Sequence, residues 1–120
     1  MYKFSVGNGN IKVDYKIEEI GDDLQISITG GVVHIGCVGL VTNGVYDIVS
    51  VKNHKEFEII QPLAQRLTKY NDITILIMAG IHVDEITLDE IKEILENNKV
   101  AIEKIDKYIS SEYNMFHEFK

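Results

Sequence analysis

The apolar residues of this chain change their spacing near residue 53, and this change constrains the fold more than any other feature of the sequence. Through residue 51, apolar and polar residues alternate in short runs, which is typical of half-buried strands. Beyond residue 53 the apolar residues recur every three or four positions, interrupted by one apolar run, "ITILIMAG". The pattern predicts strands first, and then helices on either side of one further strand.

Turn signals divide the first half into strands. "YKFSV" and "IKVDYKI" flank "GNGN", "GDD" precedes "LQISITG", and "IGCVGLV" and "VYDIVSV" flank a second Asn-Gly pair. Asn-Gly favours the two-residue type I′ turn, so Asn8-Gly9 and Asn43-Gly44 each predict a hairpin. Short connections join antiparallel neighbours, and we therefore expect about five mostly antiparallel strands before residue 52.

The first helical segment begins after these strands. Asn53 and Glu56 have the spacing of an N-cap residue and its N3 partner, which places the helix start near Asn53. Pro62 removes one backbone donor, so a kink or a start nearer Gln61 is also expected. The expected buried face contains Phe57, Ile60, Leu63, Ala64, Leu67 and Tyr70.

"ITILIMAG" is apolar at both alternating sets of positions, which predicts a central strand covered on both faces. "TLDE" follows, with Thr87 as N-cap, Glu90 as N3 residue, and Ile86 against Ile91 as a hydrophobic staple. This pattern predicts a second helix. Its expected apolar face contains Leu88, Ile91, Leu95, Ile102, Ile105 and Ile109.

The order of elements, βββββαβα, predicts an α+β fold. We expect a two-layer sandwich in which a mostly antiparallel sheet of about six strands carries both helices on one face. A chain of 120 residues has room for one core, so residues 1–110 are expected to form a single domain and residues 111–120 a C-terminal tail.

Charge and composition narrow the function classes. The formal net charge is −7, which gives no support for binding nucleic acid or an anionic membrane. No apolar run approaches the roughly 20 residues of a membrane span, and "MYKFSVGNGN" lacks the apolar segment of a signal peptide. Cys37 has no second cysteine to pair with and is expected in the core. We therefore expect a soluble, reduced, cytoplasmic protein.

Three of the four histidines lie near expected strand ends or helix starts. His34 stands in "GGVVHIG", His54 in "NHKE" and His82 in "AGIHVD". Ligand groups collect beyond strand ends in open α/β architectures, and helix N-termini offer N–H donors to anions. If the three neutral imidazoles converge with Glu56 or Asp84, they form a nitrogen and oxygen site for a divalent metal ion, with open positions that a ligand phosphate can fill.

The residues beside these histidines extend the candidate site. Glycines next to His34 permit positive φ angles and close approach of a ligand to the backbone. His54 and Lys55 can donate hydrogen bonds to a phosphate at the helix start. His82, with Asp84 two residues further on, can ligate a metal or hydrogen-bond a polar ligand. The candidates are Gly30, Gly31, His34, Gly36, His54, Lys55, Glu56, Gly80, His82 and Asp84.

Structural interpretations of the same residues stay open. The glycines also suit a bulge, and His34 also suits a partly buried imidazole bonded to a backbone carbonyl. His54 and Lys55 fit a solvated first helical turn, and Asp84 fits an ordinary loop turn. The sequence contains no HExxH or CxxC motif for a metal ion, and no GxSxG motif for a hydrolase nucleophile.

Three separated motifs together resemble a known family. "TGGVVHIG" at 29–36, "HKE" at 54–56 followed by "PLAQRL", and "AGIHVDEITLDEI" at 79–91 are similar, in this order, to the LpdD-like family. These small proteins are named after an accessory protein of gallate decarboxylase and are regarded as prenylated-flavin chaperones. The resemblance spans about residues 25 to 105.

The resemblance implies a cytoplasmic, homodimeric binding protein for prenylated FMN in its reduced form. Such a protein is not an enzyme: it assists a UbiD-type decarboxylase, beside the flavin prenyltransferase that makes the cofactor. The ten candidate residues match the family's motifs, and the resemblance also implies a metal-assisted hold on the cofactor phosphate by His34, His54 and His82.

Two other functions remain open at the level of the sequence. A small metal-dependent enzyme would use the same histidines to activate water against a phosphate or ester. A structural or interaction subunit of a decarboxylase would bind no ligand of its own and would offer a helix face or a sheet edge instead.

Overall fold

The structure, a computed structural model, describes residues 1–51 and 56–113. It confirms the expected order of six strands and two helices. The elements are β1 (Tyr2–Val6), β2 (Val13–Ile20), β3 (Asp23–Gly31), β4 (Cys37–Thr42), β5 (Val45–Ser50), α1 (Phe57–Leu67), β6 (Ile75–His82) and α2 (Leu88–Tyr108). A short 3₁₀ turn, Gly9–Ile11, precedes β2, and a π-helical turn, Ile109–Tyr113, follows α2.

The six strands form one mixed sheet in the order β1-β2-β3-β6-β4-β5. Strands β3 and β6 are parallel, and the other neighbouring pairs are antiparallel. The late strand β6 is therefore inserted between β3 and β4, which confirms its predicted central place. The α+β fold with a mostly antiparallel sheet is also confirmed.

The core lies between the helices and one face of the sheet. Alternate residues of β2, β3 and β6 point into it, while Leu63 and Leu67 of α1 and Ile105 of α2 face them. On the other face, Leu76 of β6 is 37% exposed. The prediction that β6 is covered on both faces is therefore wrong, because the described helices cover only one face and the second apolar set of β6 lies on the other.

The two Asn-Gly pairs fold differently. Asn43 and Gly44 have φ angles of 54° and 79°, as the predicted type I′ hairpin turn requires. Asn8 is extended, with a φ angle of −133°, so the type I′ turn predicted at Asn8-Gly9 is wrong. The connection instead makes a 3₁₀ turn that buries Ile11, and the burial of this side chain favours the longer loop.

Helix α1 begins at Phe57, after the first predicted start and before the alternative one at Gln61, and Pro62 lies inside it. Asn53, the predicted N-cap, lies outside the described residues. Phe57 is 46% exposed, and Ile59 is buried in its place, because the helix turns a slightly different face to the sheet.

Helix α2 begins with the predicted capping box. The Glu90 amide donates to Thr87 Oγ1 at 3.1 Å, and the Thr87 amide donates to Glu90 Oε1 at 3.0 Å. Leu88, expected on the buried face, is 67% exposed in the first turn. The buried positions of the helix are Ile94, Asn98, Ala101, Ile102, Ile105 and Asp106.

Cys37 is fully buried in β4, as expected.

Among the described residues, no helix is long and apolar enough to cross a membrane. The predicted tail, residues 111–120, begins within the π-helical turn, and its part beyond Tyr113 lies outside the described residues.

Candidate functional site

Strand order brings several candidate residues to one end of the sheet. Because β3 and β6 are parallel, their carboxyl ends lie together, and Gly31 pairs with His82. The connection from β3 to β4 crosses this end and is held by backbone hydrogen bonds: the Val32 amide donates to the His82 carbonyl at 2.8 Å, and the Gly36 amide to that of Ala79 at 2.9 Å. Residues 30–36, 56 and 80–84 are called the histidine end below.

His34 is held by two acceptors. Its Nδ1 lies 3.0 Å from the Val32 carbonyl oxygen, and its Nε2 lies 3.2 Å from Glu56 Oε1. A carbonyl oxygen only accepts hydrogen bonds, so the Val32 contact places a hydrogen on Nδ1, and Nε2 faces the Glu56 carboxyl group. These two contacts fix the orientation of the His34 ring.

Glu56 is the most buried charged group of the histidine end, with an exposed fraction of 5%. Besides facing His34, its Oε1 accepts a hydrogen bond of 3.3 Å from the Ile81 amide. The side chain makes no cap hydrogen bond to α1, although Glu56 is the N-cap residue. Its carboxylate therefore ties the start of α1 to β6 and to the β3–β4 connection. The predicted capping box of Asn53 and Glu56 stays a prediction, because Asn53 lies outside the described residues.

His82 ends β6 and is more exposed than His34. Its Nε2 lies 3.0 Å from Asp84 Oδ1. The rings of His34 and His82 are 6.4 Å apart between centroids and are close to perpendicular. The structure thus brings two of the three candidate histidines together, each beside a carboxylate.

The glycines of the histidine end make room for the chain itself. A Cβ on Gly80 would overlap the His34 carbonyl, and one on Gly36 would overlap the Glu56 carboxylate. Gly31 has a φ angle of 63°, and a Cβ there would overlap the His82 carbonyl. Gly30 is buried and packs against the Lys12 carbonyl. Close packing explains these glycines, and their contact with a ligand stays a prediction.

A cavity of about 260 Å³ opens beside the histidine end, between β6 and the first turns of both helices. Glu56, Glu58 and His82 contribute to its lining. The rest of the described lining is aliphatic and includes Ile59, Ile81, Ile86, Ile91, Ile94 and Leu95. The cavity is therefore apolar, with carboxylates and one imidazole as its polar groups.

Sequence reasoning did not identify this cavity, although one signal pointed to it. Ile86 and Ile91 were predicted to contact each other as a hydrophobic staple, and both line the cavity. A staple fixes the angle at which the chain enters a helix, so it indicated that apolar side chains lie at the junction of β6 and α2. The volume of the cavity depends on the tertiary packing of α1.

Two candidate residues, His54 and Lys55, lie outside the described residues. Within residues 1–51 and 56–113, no group of three or more histidine, cysteine or acidic side chains is arranged to hold a metal ion. The predicted ligand set needs His54 as its third member, so metal binding by His34, His54 and His82 stays a prediction.

Comparison with known proteins identifies the family. Residues 7–110 match the family model described as the prenylated flavin chaperone LpdD-like domain. The match covers most of the chain, and the chain therefore belongs to the LpdD-like prenylated flavin chaperone family. No curated protein matches it significantly.

A solved structure shares the fold at much lower sequence similarity. It is described as a novel chaperone complex for yeast 20S proteasome assembly, and its matched chain is 7% identical, with a TM-score of 0.56. The match covers 93% of this chain and 97% of that one. At this identity the likeness shows the fold alone.

Proposed function

We propose that this protein binds reduced prenylated FMN at the histidine end and carries it to a UbiD-type decarboxylase, without catalysing a reaction itself. One observation carries the proposal: the prenylated flavin chaperone model matches residues 7–110, which include every residue of the histidine end. A carrier in the cytoplasm fits the composition of the chain, which lacks an apolar run of membrane-spanning length.

The described residues suit a flavin. Binding sites for such ligands combine an apolar cavity with a few polar groups that fix orientation. Here the aliphatic cavity is the apolar part, and His34, Glu56 and His82 beside it are the polar groups. The cargo carries a phosphate and the chain has a net charge of −7, so local positive groups must offset the overall repulsion. His54 and Lys55 are proposed as such groups.

A divalent metal ion held by His34, His54 and His82 is part of the proposal. It would supply positive charge for the cofactor phosphate. In the structure Nδ1 of His34 faces the Val32 carbonyl and Nε2 faces Glu56, so ligation by either nitrogen would require the ring to move away from that partner.

The proposed partners are the decarboxylase, which receives the cofactor, and the flavin prenyltransferase, which supplies it. We also propose a homodimer, because the family resemblance implies one. The uncovered face of the sheet carries exposed aliphatic side chains on β4, β5 and β6, including Leu40, Val49 and Leu76, which a second copy can cover. Light scattering on the purified 13.6-kDa chain decides between monomer and dimer.

The test is an anaerobic titration of the purified protein with reduced prenylated FMN and with reduced FMN, with and without added divalent metal. We expect binding of the prenylated flavin, weakened at least tenfold in His34→Ala. This variant removes the ring that contacts Glu56 at the centre of the histidine end.

The matched control is His117→Ala, because the sequence places His117 in the tail, away from the three motifs. This variant should bind as the wild type does. Absence of flavin binding under every condition would contradict the proposal and favour an interaction subunit, and turnover of a phosphate or ester would favour the metal-dependent enzyme.

A further inference from the structure

The aliphatic cavity beside the histidine end has a definite role if the protein binds prenylated flavin, and the inference rests on that proposed function. We propose that this cavity takes the isoprene-derived ring of the cofactor, so that the protein selects prenylated over unprenylated flavin. The flavin's phosphate-bearing end then lies outside the cavity, on the side of His34.

The size of the cavity supports partial occupancy by the cofactor. Its volume is about 260 Å³. An apolar protein cavity of about 150 Å³ holds a benzene molecule, whereas sites that enclose a whole drug-sized ligand run from about 300 to 1,000 Å³. The five carbons that prenylation adds are fewer than the six of benzene. The cavity therefore has room for this group and for the adjacent edge of the flavin, but not for the entire molecule.

The polarity of the lining decides which end of the flavin enters. Isoleucine and leucine side chains from α1, α2 and β6 form most of the wall. Among the described lining residues the acidic groups are Glu56 and Glu58, and lysine and arginine are absent. A phosphate would meet two carboxylates in an apolar surrounding, which costs free energy through repulsion and desolvation. A hydrocarbon group loses only its contact with water, and its transfer is favourable.

The position of the cavity connects it to the histidine end. Glu56 and His82 belong to both. A ligand whose hydrocarbon ring fills the cavity can thus place its polar atoms against these two side chains. The side chains that would recognise prenylation, such as Ile91 and Leu95 on α2, are separate from the histidines that would hold the polar end.

Selectivity gives the inference a quantitative test. Each buried methylene is worth about a fourfold gain in affinity, so partial burial of five carbons predicts a preference of about tenfold to hundredfold. The dissociation constants of reduced prenylated FMN and reduced FMN are measured anaerobically for the wild type and for Leu95→Phe, which fills the cavity. The matched control is Val100→Phe, because Val100 is half exposed on α2 and does not line the cavity.

We expect Leu95→Phe to lose at least tenfold in affinity for the prenylated flavin while its affinity for FMN changes less than about threefold, and Val100→Phe to keep the wild-type preference. Ile91→Phe fills the cavity from the preceding turn and replaces Leu95→Phe if that variant fails to fold, as judged by circular dichroism. Equal losses for both flavins, or an unchanged preference in the filled variant, overturn the inference and leave the proposed function standing. If the wild type binds neither flavin, the proposed function fails and the inference fails with it.

Discussion

At the scale of single residues, glycines shape the histidine end because they have no side chain. Gly80 lies directly beneath the His34 carbonyl, and Gly36 faces the Glu56 carboxylate. Each glycine lets another part of the chain come closer than a Cβ would permit. The orientation of His34 therefore depends on residues that carry no chemistry of their own.

Gly80→Ala should destabilise the protein by about 3 kcal/mol, because the added methyl group overlaps backbone rather than a movable side chain. The measurement is urea unfolding at neutral pH. In the matched control, Gly21→Ala, the φ angle of 60° is strained but nothing lies near the new methyl group. Gly21→Ala should lower the free energy of unfolding by only about 1 kcal/mol. Equal costs for both variants would show that the β3–β4 connection yields to the methyl group.

Among the elements, α1 and α2 are joined at the ends distant from the histidine end. The buried Asp106 carboxylate of α2 accepts hydrogen bonds from Arg66 Nε at 2.7 Å, from Lys69 Nζ at 2.8 Å and from the Tyr70 hydroxyl. Burial would raise the pKa of Asp106, but the hydrogen bonds from Lys69, Tyr70 and Arg66 outweigh it and lower the pKa. Burial, together with the bond to Asp106, raises the pKa of Tyr70 to about 12.

Asp106→Asn should destabilise the protein by about 2 kcal/mol at pH 7, because hydrogen bonds to a charged acceptor are lost. The folded protein lowers the pKa of Asp106, so this stabilisation is complete above the unfolded-state value of about 3.9 and is lost as the pH falls through the lower folded value. Urea unfolding of both proteins at pH 7 and at pH 3 should show the difference between them shrinking at the lower pH.

Glu103→Gln is the control for that experiment. Glu103 also pairs with Arg66, at 2.8 Å, but its side chain is 66% exposed. Exposed ion pairs contribute little to stability, so this variant should unfold as the wild type does. A difference between wild type and Asp106→Asn that does not depend on pH would contradict the role given to the Asp106 charge.

Signals from adjacent residues predicted most of the helices, strands and turns. The features that the sequence did not predict depend on contacts between elements. The capping box at Thr87 and the turn at Asn43-Gly44 depend on a few adjacent residues, and both are confirmed. The turn at Asn8-Gly9 failed because burial of Ile11 outweighed the preference of the dipeptide. The sequence did not identify the role of Asp106, although an acidic residue beside Ile102 and Ile105 is unusual, because its partners lie at the end of α1 and just after it.

At the scale of the whole molecule, the order of the sheet assembles the histidine end. Motifs centred on His34, Glu56 and His82 are far apart in sequence and become neighbours because β6 inserts between β3 and β4. The sequence predicted the chemical groups and a central β6, but the parallel pairing of β3 with β6 comes from tertiary packing. The cavity likewise needs both helices and the sheet, so no single segment could predict it.

The central claim is that prenylated flavin binds at this end of the sheet. The most direct measurement is an anaerobic nuclear magnetic resonance titration of the ¹⁵N-labelled protein with reduced prenylated FMN, followed through the backbone amides. We predict the largest changes at residues 30–36, 56 and 80–95, which form the histidine end and the cavity, and small changes around Arg66, Tyr70 and Asp106. Changes concentrated around Asp106 or on the uncovered face of the sheet, with residues 30–36 and 80–95 unaffected, would contradict the claim.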